Sequence, residues 1–406
     1  MPGTPTLSES DARRVLDAIN EQEVVDFLRR LIQTPTVNPP GDVREAVQLS
    51  VQPLSEAGFE VRTIALDETK PNLIARFGQG RPVLCFNAHL DVVPIGELRA
   101  WTHAPFAADV EDERIYGRGA GDDKASVAAQ VMASVALARS GVALEGTLIV
   151  NEVADEEVGG PAGAAFVVNE GHVRPDFVIV GEQTLNRICV GEKGVAATRV
   201  TVYGRAAHGA LPWEGANAIE GMAEVVSALR SELWPRLESR THPLFHHSSA
   251  SVNMVAGGVK ENVVPDRCMI AIDRRLIPGE NPDDSLAEIA EVAQCAVASM
   301  PGVSVVVEFS GERRTATMSD PASPLVQAML AANRYLGLSE ALAGFSMATD
   351  GRFFAAAGYP TIIYGPGDPT LAHVPDEWVG IDEVVQATRA YALAALTLIG
   401  QGGQRK

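Results

Sequence analysis

Four short apolar runs, Pro82–Ala88, Gly146–Asn151, Asp176–Gly181 and Pro360–Tyr364, constrain the fold of this 406-residue chain more than any other feature. Each is nearly continuous and ends at turn or charged residues. That is the pattern of parallel strands covered by helices on both sides, not of strands with one wet face. Helical periodicity fills the gaps, at residues 125–139 and 166–170 and again at 324–336 and 382–399. An amphipathic region at 10–32 and a helix at 44–57 come earlier, with strand patterns at 59–64 and 72–77. Strands alternating with helices predict an α/β fold with a mainly parallel sheet and helices on both faces.

From about Ile188 the texture changes. Residues 195–203, 251–255 and 269–273 alternate apolar and polar, 303–309 closes the series, and helices are expected at 216–233 and 285–299. The order βαββαβ is that of a split βαβ module. After Pro321 the earlier pattern resumes, so the module is expected as an insertion. The domains read as 1–187, 188–312 and 313–406, the first and last forming one unit.

The formal net charge of −19 argues against nucleic acid or an anionic membrane as partner, since both call for basic patches. No apolar run approaches the roughly 18 residues that span a bilayer, and residues 1–10 lack the blocks of a signal peptide. A cytoplasmic protein is expected. Cys85, Cys189, Cys268 and Cys295 show no Cys-x-x-Cys spacing and read as reduced core residues.

The chemistry sits at the strand ends. His89 and Asp91 close the run at 82–88, Glu156 and Glu157 follow the run at 146–151, and Glu182 follows Gly181. His373 lies on the loop after the run at 360–364. Asp122 ends the glycine-rich stretch Tyr116-Gly-Arg-Gly-Ala-Gly-Asp122, just before a helix start. That stretch fits neither the Walker-A nor the dinucleotide pattern. In an open α/β sheet these positions define the carboxyl edge, where ligands bind.

Singly, each residue has a bland reading: a satisfied buried histidine, a charged loop, a surface histidine. Together, two imidazoles and three carboxylates from five loops match the ligand set of a two-metal hydrolase. Two divalent cations against three carboxylates and a bridging hydroxide leave the centre near neutral. Without thiolate ligands the set suits zinc, with cobalt or manganese as alternatives. Glu157 is assigned to metal and Glu156 to the proton of the attacking water. Asp91 is placed to orient the His89 ring.

His89-Leu-Asp91-Val-Val-Pro94, the stretch ending at Asp122, Asp155-Glu-Glu157, Gly181-Glu182 and Ala372-His373, in that order, resemble the dinuclear zinc aminoacylases and peptidases. That family includes acetylornithine deacetylase and succinyl-diaminopimelate desuccinylase. The resemblance runs from about Val24 to the C-terminus. It implies that Asp122 bridges the metals, that His89 and Glu182 hold one ion and Glu157 and His373 the other, and that Glu156 is the general acid/base. It also implies that the inserted module is a lid and the interface of a homodimer. In that scheme His208 of Ala207-His208-Gly209 reaches the partner subunit's site and stabilises the oxyanion. Asn262 and Arg275 hold substrate from the lid, and Arg352 makes a second carboxylate contact.

The chain departs from the family at Asp123, where Met is usual, at Ala125, where Gly is usual, and at Gln183, where Pro is usual. Neither Asp123 nor Gln183 occupies a ligand position. Asp123 is expected to add charge beside the site. Thr349-Asp350-Gly351-Arg352 lacks one hydroxyl of the desuccinylase pattern, which leaves the acyl group open. His242, His246 and His247 have no neighbouring carboxylates and read as a solvated loop.

The expected activity is metal-dependent removal of an N-acyl group from an amino acid, by attack of a metal-bridging hydroxide on the amide carbonyl. The substrate is a small N-acyl amino acid or a dipeptide-like molecule. The alternatives are a dipeptidase or glutamate-type carboxypeptidase, and a silent binding protein on the same fold.

Overall fold

The computed structural model describes residues 7–401. The chain forms two compact units, one built up to Gly191 and again from Ser319, the other from Glu192 to Met318.

The first unit opens with helices α1 (Glu9–Asp17), α2 (Glu21–Ile32) and α3 (Arg44–Glu56). Ser8 and Asn20 start the first two, their side chains accepting the free amides of Asp11 and of Gln22 and Glu23. Strands β1 (Glu60–Ile64), β2 (Asn72–Gly78) and β3 (Val83–His89) follow, then the hairpin β4 (Asp109–Glu111) and β5 (Arg114–Tyr116). Helix α4 (Lys124–Arg139) leads to β6 (Thr147–Val153), α5 (Ala164–Asn169), β7 (Phe177–Gly181) and β8 (Ile188–Glu192).

The second unit contains β9 (Gly194–Tyr203), β10 (Ala207–His208) and α6 (Ala218–Ala228), which passes through a π turn into α7 (Trp234–Glu238). Then come β11 (Ser249–Gly257), β12 (Val263–Val264), β13 (Arg267–Leu276), α8 (Pro282–Val297) and β14 (Ser304–Arg314). The sheet order β11-β13-β9-β14, every pair antiparallel, is the split βαβ arrangement. Val200, Val202, Met222, Val225, Ile270 and Ile289 fill its core. Cys295 faces solvent on α8, unlike the three buried cysteines, because the helix turns it away from the core that takes Val292 and Ala293.

The chain returns to the first unit with α9 (Pro324–Leu336), β15 (Leu342–Phe345), α10 (Gly351–Ala356), β16 (Thr361–Tyr364), β17 (Trp378–Gly380) and α11 (Ile381–Ile399). The main sheet has eight strands in the order β1-β2-β6-β3-β7-β16-β8-β15. Its centre, β6-β3-β7-β16, is parallel, β1 and β2 run antiparallel to their neighbours, and β8 runs antiparallel to β16. The mainly parallel expectation holds for the four strands that carry the apolar runs. β8 joins this sheet beside β16, so the contact boundary falls after Gly191, a few residues beyond the expected 187. No helix among the described residues is long and apolar enough to cross a membrane.

Helix α4 is buried along almost its whole length and touches strand β3 on one side and α2 and α11 on others. Its Ala, Val and Ser residues permit that all-round packing. The approach is close: a Cβ on Gly181 would lie 2.5 Å from Cβ of Ser126. One buried acid breaks the apolar pattern of the sheet. Burial pushes the Glu152 carboxyl on β6 up to about 8. Between the ordinary carboxyl pKa near 4.5 and about 8, the unfolded chain is ionised there and the folded chain is not. Stability therefore falls with rising pH across that window, by about 1.4 kcal/mol per pH unit for one proton, and is level above it. The Glu152→Gln variant is expected to gain stability over the parent as pH rises from 5 to 8, in urea unfolding. A gain independent of pH would contradict this assignment.

Candidate metal centre

Five side chains from separate loops meet at the carboxyl end of the parallel strands. His89 is the last residue of β3, Glu157 lies just past β6, and Glu182 directly follows β7. Asp122 precedes α4, and His373 sits on the loop between β16 and β17 with φ of 66°. His89, Asp122 and Glu182 form one group and Asp122, Glu157 and His373 a second; in each, candidate ligand atoms lie within 4.8 Å of one another. Asp122 belongs to both. Its Oδ1 lies 3.1 Å from His89 Nε2, and its Oδ2 lies 3.3 Å from His373 Nε2. His373 Nε2 is also 3.1 Å from Glu157 Oε2.

The loop of Asp122 is held by a residue the sequence did not single out. Glu377 Oε1 accepts the amides of Gly121 and Asp122 at 2.8 and 3.0 Å, and Oε2 accepts that of Gly119 at 3.2 Å. Arg118 Nη1 pairs with Glu377 Oε2 at 2.6 Å, both side chains being buried. Gly119 makes the wrap possible, with φ of 85° and Val92 Cγ1 2.6 Å from where a Cβ would be. Just beyond, the buried Lys124 Nζ donates to the carbonyls of Leu31 and Thr34 at 2.9 and 2.8 Å, tying the start of α4 to the end of α2. Only proximity to His373 could have flagged Glu377 in the sequence.

A second clamp sets the acidic triplet. The Asp91 carboxylate accepts the backbone amides of Glu156 and Glu157 at 3.1 and 3.3 Å and the Asn38 amide at 2.7 Å. His89 Nδ1 lies nearer the Asp91 carbonyl, 2.9 Å, than its carboxylate, 3.6 Å. The expected orienting role of Asp91 thus falls mainly to its backbone, while its carboxylate holds the turn that carries Glu156. A carbonyl can only accept, so His89 carries a hydrogen on Nδ1. Burial opposes a second proton, but Asp122 and Asp91 outweigh it and raise the ring well above its ordinary pKa. Without metal, Nε2 therefore also carries a hydrogen toward Asp122 Oδ1, and a bound ion would take that position instead. Asp155, at φ of 72°, pairs with Lys70 and receives Asn38 at 3.2 Å.

Charge is crowded here. Burial pushes the Glu182 carboxyl well up, and the neighbouring charge of Asp122 pushes it further. Burial, then Asp122, raises Glu157. Burial also opposes charge on Asp122, but hydrogen bonds from His373 and His89 outweigh it and hold that carboxyl below its usual range. His373, bonded to Asp122 and Glu157, is raised to about 10. Glu156 is raised well above its ordinary value by burial. Asp123 was expected to add charge beside the site. Burial raises it to about 8, so it is mostly neutral at pH 7, and its Oδ2 accepts the His89 amide at 3.3 Å. Gln183, which stands where Pro is usual, donates from Nε2 to Asp122 Oδ2 at 3.1 Å.

Arg352 stands beside Glu156, Nη1 to Oε1 3.6 Å. His208, Asn262 and Arg275 belong to the second unit. His208 pairs with Val263 across the β10–β12 ribbon, and Gly209 donates to the Asn262 carbonyl at 2.8 Å. The His208 Nδ1 accepts the Ala210 amide at 3.0 Å, so the neutral ring presents Nε2–H as a donor. Arg275 lies in the four-stranded sheet, where Asp273 grips its guanidinium bidentately at 2.8 and 3.0 Å.

The donor set fits a pair of divalent cations. Glu157 Oε1 is buried without a hydrogen-bond partner, and the self-repelling carboxylates call for positive charge between them. Fold and site together define a metal-dependent hydrolase of linear amide bonds. The model of peptidase family M20/M25/M40 matches residues 85–397, and the chain belongs to that family.

Among its relatives, a succinyl-diaminopimelate desuccinylase of a Caulobacter species is 31% identical over 378 residues, 90% of this chain and 94% of that one. The desuccinylase of Gluconacetobacter diazotrophicus is 32% identical over 390 residues, 92% and 96% of the two chains. The fold is shared with human carnosine dipeptidase 1, at a TM-score of 0.74 and 17% identity over 98% of this chain and 99% of that one. It is shared as well with the Bacillus subtilis YXEP protein, a dinuclear metal binding peptidase, at 0.71 and 19% over 93% and 98%.

The Glu377→Ala variant leaves Arg118 buried and unpaired, and a loss of about 3–5 kcal/mol in denaturant unfolding of the chelated protein is expected. The Arg118→Ala, Glu377→Ala double variant is expected to lose less than the sum of the singles. A loss below about 1 kcal/mol for Glu377→Ala alone would contradict the clamp.

Proposed function

We propose that the chain removes an N-acyl group from an amino acid, with a carboxylate-bearing acyl group of the succinyl type first among candidates. The observation that carries the reading is Asp122, whose two oxygens face two separate histidine–carboxylate groups. In this reading Asp122 would be shared by two ions, with His89 and Glu182 holding one and Glu157 and His373 the other. Such ions, zinc by preference for a donor set of imidazole and carboxylate, would supply a Lewis acid for the amide carbonyl and a water of pKa near about 7.

Glu156 takes the proton of the attacking water and returns it to the amide nitrogen as the C–N bond breaks. Its burial keeps the proton within reach of the leaving amine rather than bulk water. His208 donates Nε2–H to the oxyanion, delivered from the partner's lid. Arg352, already beside Glu156, pairs with a substrate carboxylate, and Asn262 supplies a polar contact from the lid. Arg275 joins them only by exchanging Asp273 for a substrate carboxylate. The four free cysteines are consistent with a reducing, cytoplasmic setting.

A panel of N-succinyl, N-acetyl and dipeptide substrates on the zinc-loaded protein tests the reading. Succinyl substrates are expected to be turned over fastest, chelation to abolish turnover and zinc to restore it. A dipeptide preference would move the chain to the peptidase alternative. The Glu156→Gln variant is expected to lose about 100- to 10,000-fold in kcat while still binding both ions. Retained turnover would remove Glu156 from its role.

A homodimer is proposed through the second unit. Strand β11 is the open edge of its sheet. Met254 and Val255 are 64% and 71% exposed there, beside a groove of about 760 Å³ lined by Ile219, Met222, Val226 and Val252. An unpaired apolar edge of this kind is suited to antiparallel pairing with its copy. The Val255→Glu variant is expected to sediment as a monomer. A parent chain that is itself monomeric at micromolar concentration would end the proposal.

A further inference from the structure

We propose that Gln183 is a positioning residue that sets the Oδ2 side of the Asp122 carboxylate for the ion held with Glu157 and His373. The inference rests on the two-ion reading above and concerns a position where the chain departs from the family pattern, Gln183 standing where Pro is usual.

The two oxygens of Asp122 stand in unlike surroundings. Oδ1 meets His89 Nε2 at 3.1 Å, while Oδ2 meets both His373 Nε2 at 3.3 Å and Gln183 Nε2 at 3.1 Å. Gln183 is 2% exposed and directly follows Glu182, so one turn supplies a carboxylate to the first group and an amide to the second. The orientation of the amide is dictated by chemistry. Reversed, Oε1 would oppose the Asp122 oxygen, acceptor against acceptor. In the orientation found, Oε1 is left buried with no partner. Such an orphan costs about 1–3 kcal/mol, a cost an apolar side chain of similar size would not incur.

What the amide secures is the plane of a carboxylate. Rotation about the last torsion of an aspartate is soft, and a bridging carboxylate must present one oxygen to each ion at once. A donor fixed on Oδ2 occupies one lone pair and directs the other toward Glu157 and His373. On Oδ1 the His89 side has no such amide, so the effect of losing Gln183 falls on one ion and not the other.

The test is zinc binding to the metal-free protein, by competition with a chromophoric chelator, for the parent and for the Gln183→Leu and Gln183→Met variants. His373→Ala identifies which binding step belongs to that side. The parent is expected to bind two ions per chain; fewer than two would end the two-ion reading itself, whatever Gln183 does. With two bound, Gln183→Leu and Gln183→Met are expected to weaken the His373-side Kd by about tenfold or more and to leave the other within about threefold. The thermal midpoint of the metal-free variants is expected to stay at or above that of the parent. An unchanged His373-side Kd, or equal weakening of both steps, would overturn the role of Gln183 while leaving the two-ion reading standing.

Discussion

Repulsion between buried carboxylates governs this structure. Asp122, Glu157 and Glu182 are gathered where water cannot screen them, and Glu182 in particular is driven far from its ordinary ionisation by burial and by its neighbours. Left alone, such a cluster would relax by protonation or by swinging side chains into solvent. The chain prevents the second escape by fixing backbone, and the first, protonation of Glu182 and Glu157, is the state that bound cations would displace. The rest of the first unit can be understood as the means of holding like charges together.

Two clamps share that work, and both use a carboxylate to hold amides. Glu377 draws in three N–H groups of one loop, those of Gly119, Gly121 and Asp122, and Asp91 draws in those of Glu156 and Glu157. Each clamp is anchored from behind, Glu377 by Arg118 and Asp91 by Asn38. Holding a loop by its backbone leaves its side chains unencumbered, which is what ligands and a proton-transferring group require. The parallel sheet then does the gathering. β3, β6 and β7 run in the same direction, so loops far apart in the chain emerge at one edge.

Much of this was legible in residue patterns because it depends on burial, which leaves a mark in composition. The four apolar runs became β3, β6, β7 and β16, and the residues closing them became the centre. Short or mixed strands were missed. β4, β5 and β17 are each three residues long, too brief for periodicity to register, and β8 was assigned to the insertion because its sheet partner lies more than 150 residues away. The clamps were invisible for a different reason: Glu377, Asn38 and Lys70 act on backbone groups or distant acids, and no local spacing marks such contacts. Asp123 and Gln183 were located by sequence as departures, but their effect was not legible there, since burial decides whether Asp123 is charged and a side-chain direction decides whether Gln183 meets Asp122.

The triplet Asp155-Glu156-Glu157 shows how chemically similar neighbours acquire separate tasks. Asp155 adopts φ of 72°, a left-handed conformation uncommon outside glycine, and its carboxylate is consumed by Lys70, Asn38 and the Ala162 amide at 3.1 Å. That conformation turns the chain out of the extended path of β6, so the next two side chains need not alternate across a strand. Asp91 then fixes their amides, and the carboxylates diverge, Glu157 toward His373 and Glu156 toward Arg352. A strand continued through these residues would have sent Glu156 and Glu157 to opposite faces of the sheet. The backbone turn at Asp155 is therefore what allows one short segment to send one carboxylate to His373 and its neighbour to Arg352.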